Sequence, residues 1–82
     1  MNADIEKKIG LNIRKLRENA NLTQEMLSAR LQTMGCDITR SALAKIEVGQ
    51  RHLYPDEIIL IKEILKVSYN DIFEIKQTDL LG

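Results

Sequence analysis

The chain has 82 residues, 44% hydrophobic and 29% charged, with one Cys, one Pro and no Trp. That length fits one small domain, with no second expected, and such a chain buries only about 60% of the surface it exposes unfolded, so its core must be compact. The lone Cys36 excludes an intramolecular disulfide, the N-terminal stretch from Asp4 to Lys8 is charged rather than an apolar leader, and the apolar run Ile58 to Ile61 is far too short for a membrane span. A cytoplasmic location without a membrane partner is expected.

Formal net charge is zero, which argues against an indiscriminate basic coat, but the charge is unevenly spread. Residues 1–53 hold nine basic and six acidic side chains, whereas residues 54–82 hold three and six. A polar molecule with a positive front suits selective contact better than salt-driven adhesion.

Ile5, Ile9, Ile13, Leu16 and Ala20 recur at helical spacing and predict a first helix ending near Asn19 to Asn21, where Asn tolerates a left-handed cap. One device then occurs three times: an apolar residue, a Thr or Ser, and an apolar residue four positions further on. It reads Leu22-Thr23-Leu27, Ile38-Thr39-Leu43 and Val67-Ser68-Ile72. Each is a hydrophobic staple around an N-cap, the hydroxyl accepting from an orphan amide while the apolar pair fixes how the chain enters the helix.

Helix 2 is predicted from Gln24 to Met34, with Met26, Leu27 and Leu31 inward and Gly35 closing it. A four-residue joint, 35–38, leads to helix 3 from Arg40 to about Val48, which turns Leu43 and Ile46 inward and stops at Gly49. Pro55 fits the first position of helix 4, where its missing N–H costs nothing, and Asp56 and Glu57 favour the positive end of the dipole. Along helix 4, to Lys66, residues Ile58, Leu60, Ile61, Ile64 and Leu65 share a face, and Ile59 falls among the charges. A short helix 5 runs from Tyr69 to about Glu74. The expected organisation is one domain over residues 1–74 and a C-terminal tail over 75–82.

Five short helices and no convincing strand make an all-α domain, and the four-residue joint fits a helix-turn-helix. One Cys, one His, no glycine-rich phosphate loop and no metal-ligand spacing predict no catalytic site, no metal and no cofactor, and hence no enzyme. Cys36 is expected to be a small apolar filler and His52 an ordinary loop residue.

Four segments in order carry a resemblance: Ile9-Gly10-x-x-Ile13-Arg14-x-Leu16-Arg17; Leu22-Thr23-Gln24-Glu25-x-Leu27; Ile38-Thr39-Arg40-Ser41-x-Leu43-x-Lys45-Ile46-Glu47-x-Gly49-x-Arg51; and Val67-Ser68-x-x-Asp71-Ile72-Phe73. Across roughly residues 9–73 the chain resembles the lambda-repressor and Cro-like (Xre) helix-turn-helix family. It departs from the compact family pattern by about five extra residues between Gln24 and Thr39, assigned here to one added turn of helix 2.

The resemblance implies a compact five-helix domain whose helix 3 enters the DNA major groove, so that Arg40, Ser41, Ala44 and Lys45 are the candidates for base contact. Thr23, Gln24 and Thr39 at helix starts, and Gln50 and Arg51 in the loop after Gly49, are candidates for phosphate contact, both Thr residues capping their helices as well. Arg17 and Glu47 match family positions that pair internally, implying an ion pair between helix 1 and the end of helix 3.

The expected function is therefore a sequence-specific, double-stranded-DNA-binding transcriptional regulator, a phage-like or bacterial repressor that occupies an operator. The alternative is a protein-interaction module of the same fold, an antagonist of a repressor without DNA binding, favoured by zero net charge and by Ala42 and Ala44 on helix 3. A weak homodimer is expected through helices 4 and 5 and the tail, with Ile59, Ile75, Leu80 and Leu81 as contacts.

Overall fold

Helix starts in this chain are decided by short polar side chains that answer unpaired amides. In the computed structural model, which describes residues 2–75, five helices follow one another: α1 (Ala3–Asn19), α2 (Gln24–Thr33), α3 (Arg40–Glu47), α4 (Pro55–Leu65) and α5 (Tyr69–Phe73). The Thr23 hydroxyl accepts from the Met26 amide at 3.1 Å and the Thr39 hydroxyl from the Ala42 amide at 3.1 Å. Ser68 accepts from the Asp71 amide at 3.1 Å while the Asp71 carboxylate accepts from the Ser68 amide at 2.9 Å, a reciprocal capping box. Before α4, which opens on Pro55, the Glu57 carboxylate reaches back to the Tyr54 amide at 3.0 Å. Asn2 caps α1 by accepting from the Asp4 and Ile5 amides, so the helix begins at Ala3, ahead of Ile5, the first residue of its apolar pattern.

Helix ends are equally regular. After α1, α2 and α3 the residue beyond the C-cap takes a positive φ: Asn21 at 59°, Gly35 at 82° and Gly49 at 78°. The next amide then reaches back to the carbonyl five residues earlier: Leu22 to Arg17 at 3.2 Å, Cys36 to Leu31 at 2.9 Å and Gln50 to Lys45 at 2.8 Å. These are Schellman motifs, which satisfy carbonyls the helix leaves orphaned. Leu22 closes α1 and also precedes the Thr23 cap of α2, so one buried leucine fixes both sides of the first turn.

Helices 2 to 5 each end one residue earlier than the apolar pattern predicts. Met34, Val48, Lys66 and Glu74 are C-caps, residues that still donate to the helix through their amides but no longer take its dihedral angles.

The core gathers at the meeting of these elements. Ile13, Leu27, Leu31, Ile38, Leu43, Ile46, Ile61 and Ile72 are fully buried, each contributing about 1.5–3 kcal/mol by leaving water. The two inner residues of every expected staple are among this core or packed on it. Met26 is a correction: expected inward, it is 44% exposed, and Ser28 turns in instead, donating to the Ile38 carbonyl at 2.7 Å. The buried arc of α2 runs from Leu27 through Leu31 to Ser28, which leaves Met26 about 150° from its centre, in solvent. Ala20, at the last position of the helix 1 pattern, is the exposed cap of α1.

α1 packs on α3 and α5, and α2 on α3 and α4. The α1–α3 approach requires Gly10, because a Cβ there would run into the Ile46 carbonyl oxygen and lie 2.9 Å from that of Glu47. α5 is tied to α1 by Asn12, whose Nδ2 donates to the Ile72 carbonyl at 2.9 Å and the Glu74 carbonyl at 3.0 Å. Those are carbonyls that a short helix end would otherwise leave unpaired.

Candidate nucleic-acid interface

α3 presents two unlike faces. Leu43, Ile46 and Glu47 are buried, whereas Arg40, Ser41 and Lys45 are exposed and Ala44 is half-buried between them. Thr39, exposed at the N-cap, holds the Ala42 amide, and its carbonyl accepts the Leu43 amide at 2.9 Å. The Arg40 and Ser41 amides, at the first two helical positions, point out of the helix start.

Beside that start the start of α2 approaches. Arg40, Thr23, Gln24, Arg14, Glu25 and Val48 line an open cleft of about 660 Å³, with Arg17 and Glu47 at its base. Thr23 is exposed and Gln24 half-buried. Arg14 has no role in the sequence reading, yet the structure brings it to the same cleft. Its pairing with Glu18, at 3.7 Å between two half-exposed side chains, is a weak surface contact. The signal was available: Arg14 stands one helical turn before Arg17 and shares its face.

Under the cleft lies a buried ion pair. Arg17 donates through Nε to Glu47 Oε2 at 2.7 Å and through Nη2 to Glu47 Oε1 at 3.0 Å, while Nη1 donates to the Leu22 carbonyl at 2.8 Å. Arg17 is 7% and Glu47 3% exposed. The hydrogen bond to Glu47 raises the guanidinium pKa against the opposing effect of burial. Gln24 Nε2 adds a bond to Glu47 Oε1 at 3.0 Å. One carboxylate therefore joins α1, the start of α2 and the end of α3, and fixes the two helices that frame the cleft.

The loop after α3 is organised by a second pair that sequence reasoning missed. Arg51 donates through Nη1 to Glu57 Oε1 at 2.9 Å and through Nη2 to Glu57 Oε2 at 3.0 Å, and Nη1 also reaches the His52 carbonyl at 2.9 Å. Glu57 is buried, and the Arg51 bond holds its carboxyl below the usual carboxylate range despite desolvation. Arg51, expected to reach phosphate, spends three N–H bonds inward; a guanidinium has five, so two remain. Gln50 is exposed beside it. His52, read as a plain loop residue, places Nδ1 at 2.6 Å from Glu6 Oε1 and so ties the loop to α1.

The remaining candidates lie elsewhere. Ile59 is 48% exposed on α4, as its place among the charges implies, and Ile75 is half-buried. Leu80 and Leu81 lie outside the described residues. Cys36 is buried as the residue that closes α2, and burial pushes its thiol pKa up. Among the described residues no group of three or more His, Cys, Asp or Glu side chains could hold a metal ion, and no helix is long and apolar enough to cross a membrane.

Comparison with curated proteins and with solved structures returned no significant match. A family model described as helix-turn-helix matches residues 13–72, most of the chain, from the middle of α1 to α5. The match spans the α2–α3 pair, the Arg17–Glu47 bridge and both capped helix starts at the cleft. The chain belongs to the lambda-repressor-like (Xre) helix-turn-helix family of DNA-binding regulators.

Proposed function

We propose that this protein is a sequence-specific transcriptional repressor that occupies a double-stranded DNA operator and reads its major groove with α3. The observation that carries this reading is the division of α3 into a locked inner face and a free outer one. Leu43, Ile46 and Glu47 hold the helix against the core, leaving Arg40, Ser41 and Lys45 exposed at its start and along its outer side, with Ala44 between them. Arg and Lys suit the O6 and N7 acceptors of guanine, Ser is permissive, and Ala44 can meet a thymine methyl.

Thr23, Gln24 and Thr39 then hold phosphate at the two helix starts, and Gln50 and Arg51 do so from the loop. Gln24 rests Nε2 on Glu47, so its role is to place the α2 start as much as to donate. A cytoplasmic bacterial or phage setting fits such a protein.

Operators are commonly two-fold, and two copies of this chain are proposed to meet weakly through α4, α5 and the tail. Ile59 at 48%, Tyr69 at 44% and Phe73 at 42% exposure support an apolar contact there. Leu80 and Leu81 extend the proposal to the tail.

A gel shift of the full chain against random-sequence duplex pools tests the reading. Selection of one motif supports it, and equal retention of every sequence contradicts it. One observation favours the second reading, a protein-interaction module: Arg51 and Gln24 are both bonded inward, which reduces the free phosphate donors of a chain with zero net charge. Absence of any duplex binding in the same assay would select it.

A further inference from the structure

Where α1, α3, α4 and α5 converge, the side chains leave a cavity of about 140 Å³. Ile5 and Ile9 of α1, Ile46 of α3, Leu53 of the following loop, Ile58 of α4 and Phe73 of α5 supply its apolar wall. Ile9, Leu53 and Ile58 pack on the core yet remain only half-buried. Phe73, at 42%, is the one exposed side chain of the lining and marks the solvent side.

The two charged lining residues are already engaged. Glu6 Oε1 faces His52 Nδ1 at 2.6 Å, and Arg51 is bidentate on Glu57. Each charge of the wall already faces a partner, although the Arg51 guanidinium keeps two further N–H groups. An enclosed apolar cavity of about 150 Å³ lined by Leu, Ile and Phe takes up benzene or xenon, and this space has a similar size and a largely apolar wall but opens to solvent beside Phe73. Size and lining point the same way: the space suits a molecule that is small, neutral and apolar, and an anion would have to compete with the Glu57 carboxylate for Arg51.

We propose that this cavity binds one small neutral apolar molecule, about the size of a single aromatic ring, between α1, α4 and the short helix α5. The proposal does not depend on how α3 engages DNA. Four helices and the loop after α3 contribute to the wall, and Ile46 belongs to the last turn of α3, so the site lies directly behind the helix that faces the cleft.

The test uses the full chain with methyl-labelled isoleucine and leucine, titrated with benzene in the absence of DNA and followed by NMR. Saturable shifts are expected at the Ile5, Ile9, Ile58 and Leu53 methyls, with Ile38 and Ile61 unmoved, together with a raised thermal midpoint. Ile58→Phe and, separately, Leu53→Phe fill the space and should weaken benzene binding about tenfold or more while the far methyl signals stay native. Two fillings on different elements guard against one of them misfolding. Shifts that grow linearly and equally at all methyls, or that survive in both filled variants, would overturn the proposal, as would no shift in benzene-saturated buffer. The titration is run at one fixed protein concentration, so that weak association through α4 and α5 does not add to the shifts.

Discussion

Glu47 receives Arg17 through two guanidinium nitrogens, at 2.7 and 3.0 Å, and both side chains are buried, so the contact between α1 and the end of α3 is a desolvated, bidentate one. Such a pair is costly to break from one side only, because the survivor stays buried without its counter-charge. Arg17→Ala and Glu47→Ala should each cost about 3–5 kcal/mol, and the double variant clearly less than their sum. Urea denaturation of the four proteins checks this, and small additive losses would show the pair to be energetically idle.

Glu57 makes stability depend on pH. Its carboxyl pKa is lowered in the folded chain, chiefly by the Arg51 hydrogen bond and also by the Tyr54 amide. A depressed folded value means that the contribution is complete above the unfolded value of about 4.3 and is lost as pH falls through the folded one. Glu57→Gln should therefore lose about 2 kcal/mol at pH 7, and the gap to the parent chain should close on acidification below pH about 4. Paired urea midpoints at both pH values measure the gap; a gap that is constant with pH would contradict the assignment.

Gly10→Ala sets two effects against each other. Alanine would gain about 1 kcal/mol in helix propensity, but its Cβ would meet the Ile46 and Glu47 carbonyl oxygens, which are backbone atoms and cannot rotate away. Steric conflict wins here, and a net loss of about 2 kcal/mol is expected in thermal or urea unfolding. A neutral or stabilised variant would mean that α1 and α3 sit further apart.

Asn12→Ala should free the end of α5 without disturbing α3. Two hydrogen bonds to the Ile72 and Glu74 carbonyls disappear, for a loss of about 1–2 kcal/mol. Amide hydrogen exchange should quicken over Tyr69–Phe73 and Glu74 while protection of α2 and α3 persists. Uniform loss of protection would show that α5 is not a separable unit.

These four sites also show which features sequence can express. Thr23, Thr39 and Ser68 are legible because capping is local, the hydroxyl, the amide it holds and the apolar pair all lying within six consecutive residues. Gly35 and Gly49 are legible for the same reason, whereas Lys66 takes a φ of 57° with nothing in a lysine to announce it. Asn12 contacts carbonyls 60 and 62 residues away, and Arg51 finds Glu57 across a loop whose path only the packed chain defines. Met26 lies outside, against expectation, because Leu27 and Leu31 constrain only the centre of the buried arc of α2, not which side of it widens. Arg17 and Glu47 were matched through family resemblance; spacing alone could not bring together residues 30 apart.

On DNA, holding and reading should separate. Gln24→Ala and Arg51→Ala should weaken binding almost equally on all sequences, and only the charged Arg51 should lower the salt slope, by about one unit. Because Arg51 also holds Glu57, its variant is compared at a temperature where both proteins are folded.

Whether the exposed face of α3 reads bases is decided by the affinity of the Arg40→Ala, Lys45→Ala double variant for selected operator and scrambled duplex at several salt concentrations. Each substitution alone should cost about 1–3 kcal/mol on the operator and relax preference at one or two base pairs, so the double variant should bind the two duplexes nearly alike. A double variant that is folded and keeps the parent chain's discrimination would contradict the account and show that α3 is not the reading helix.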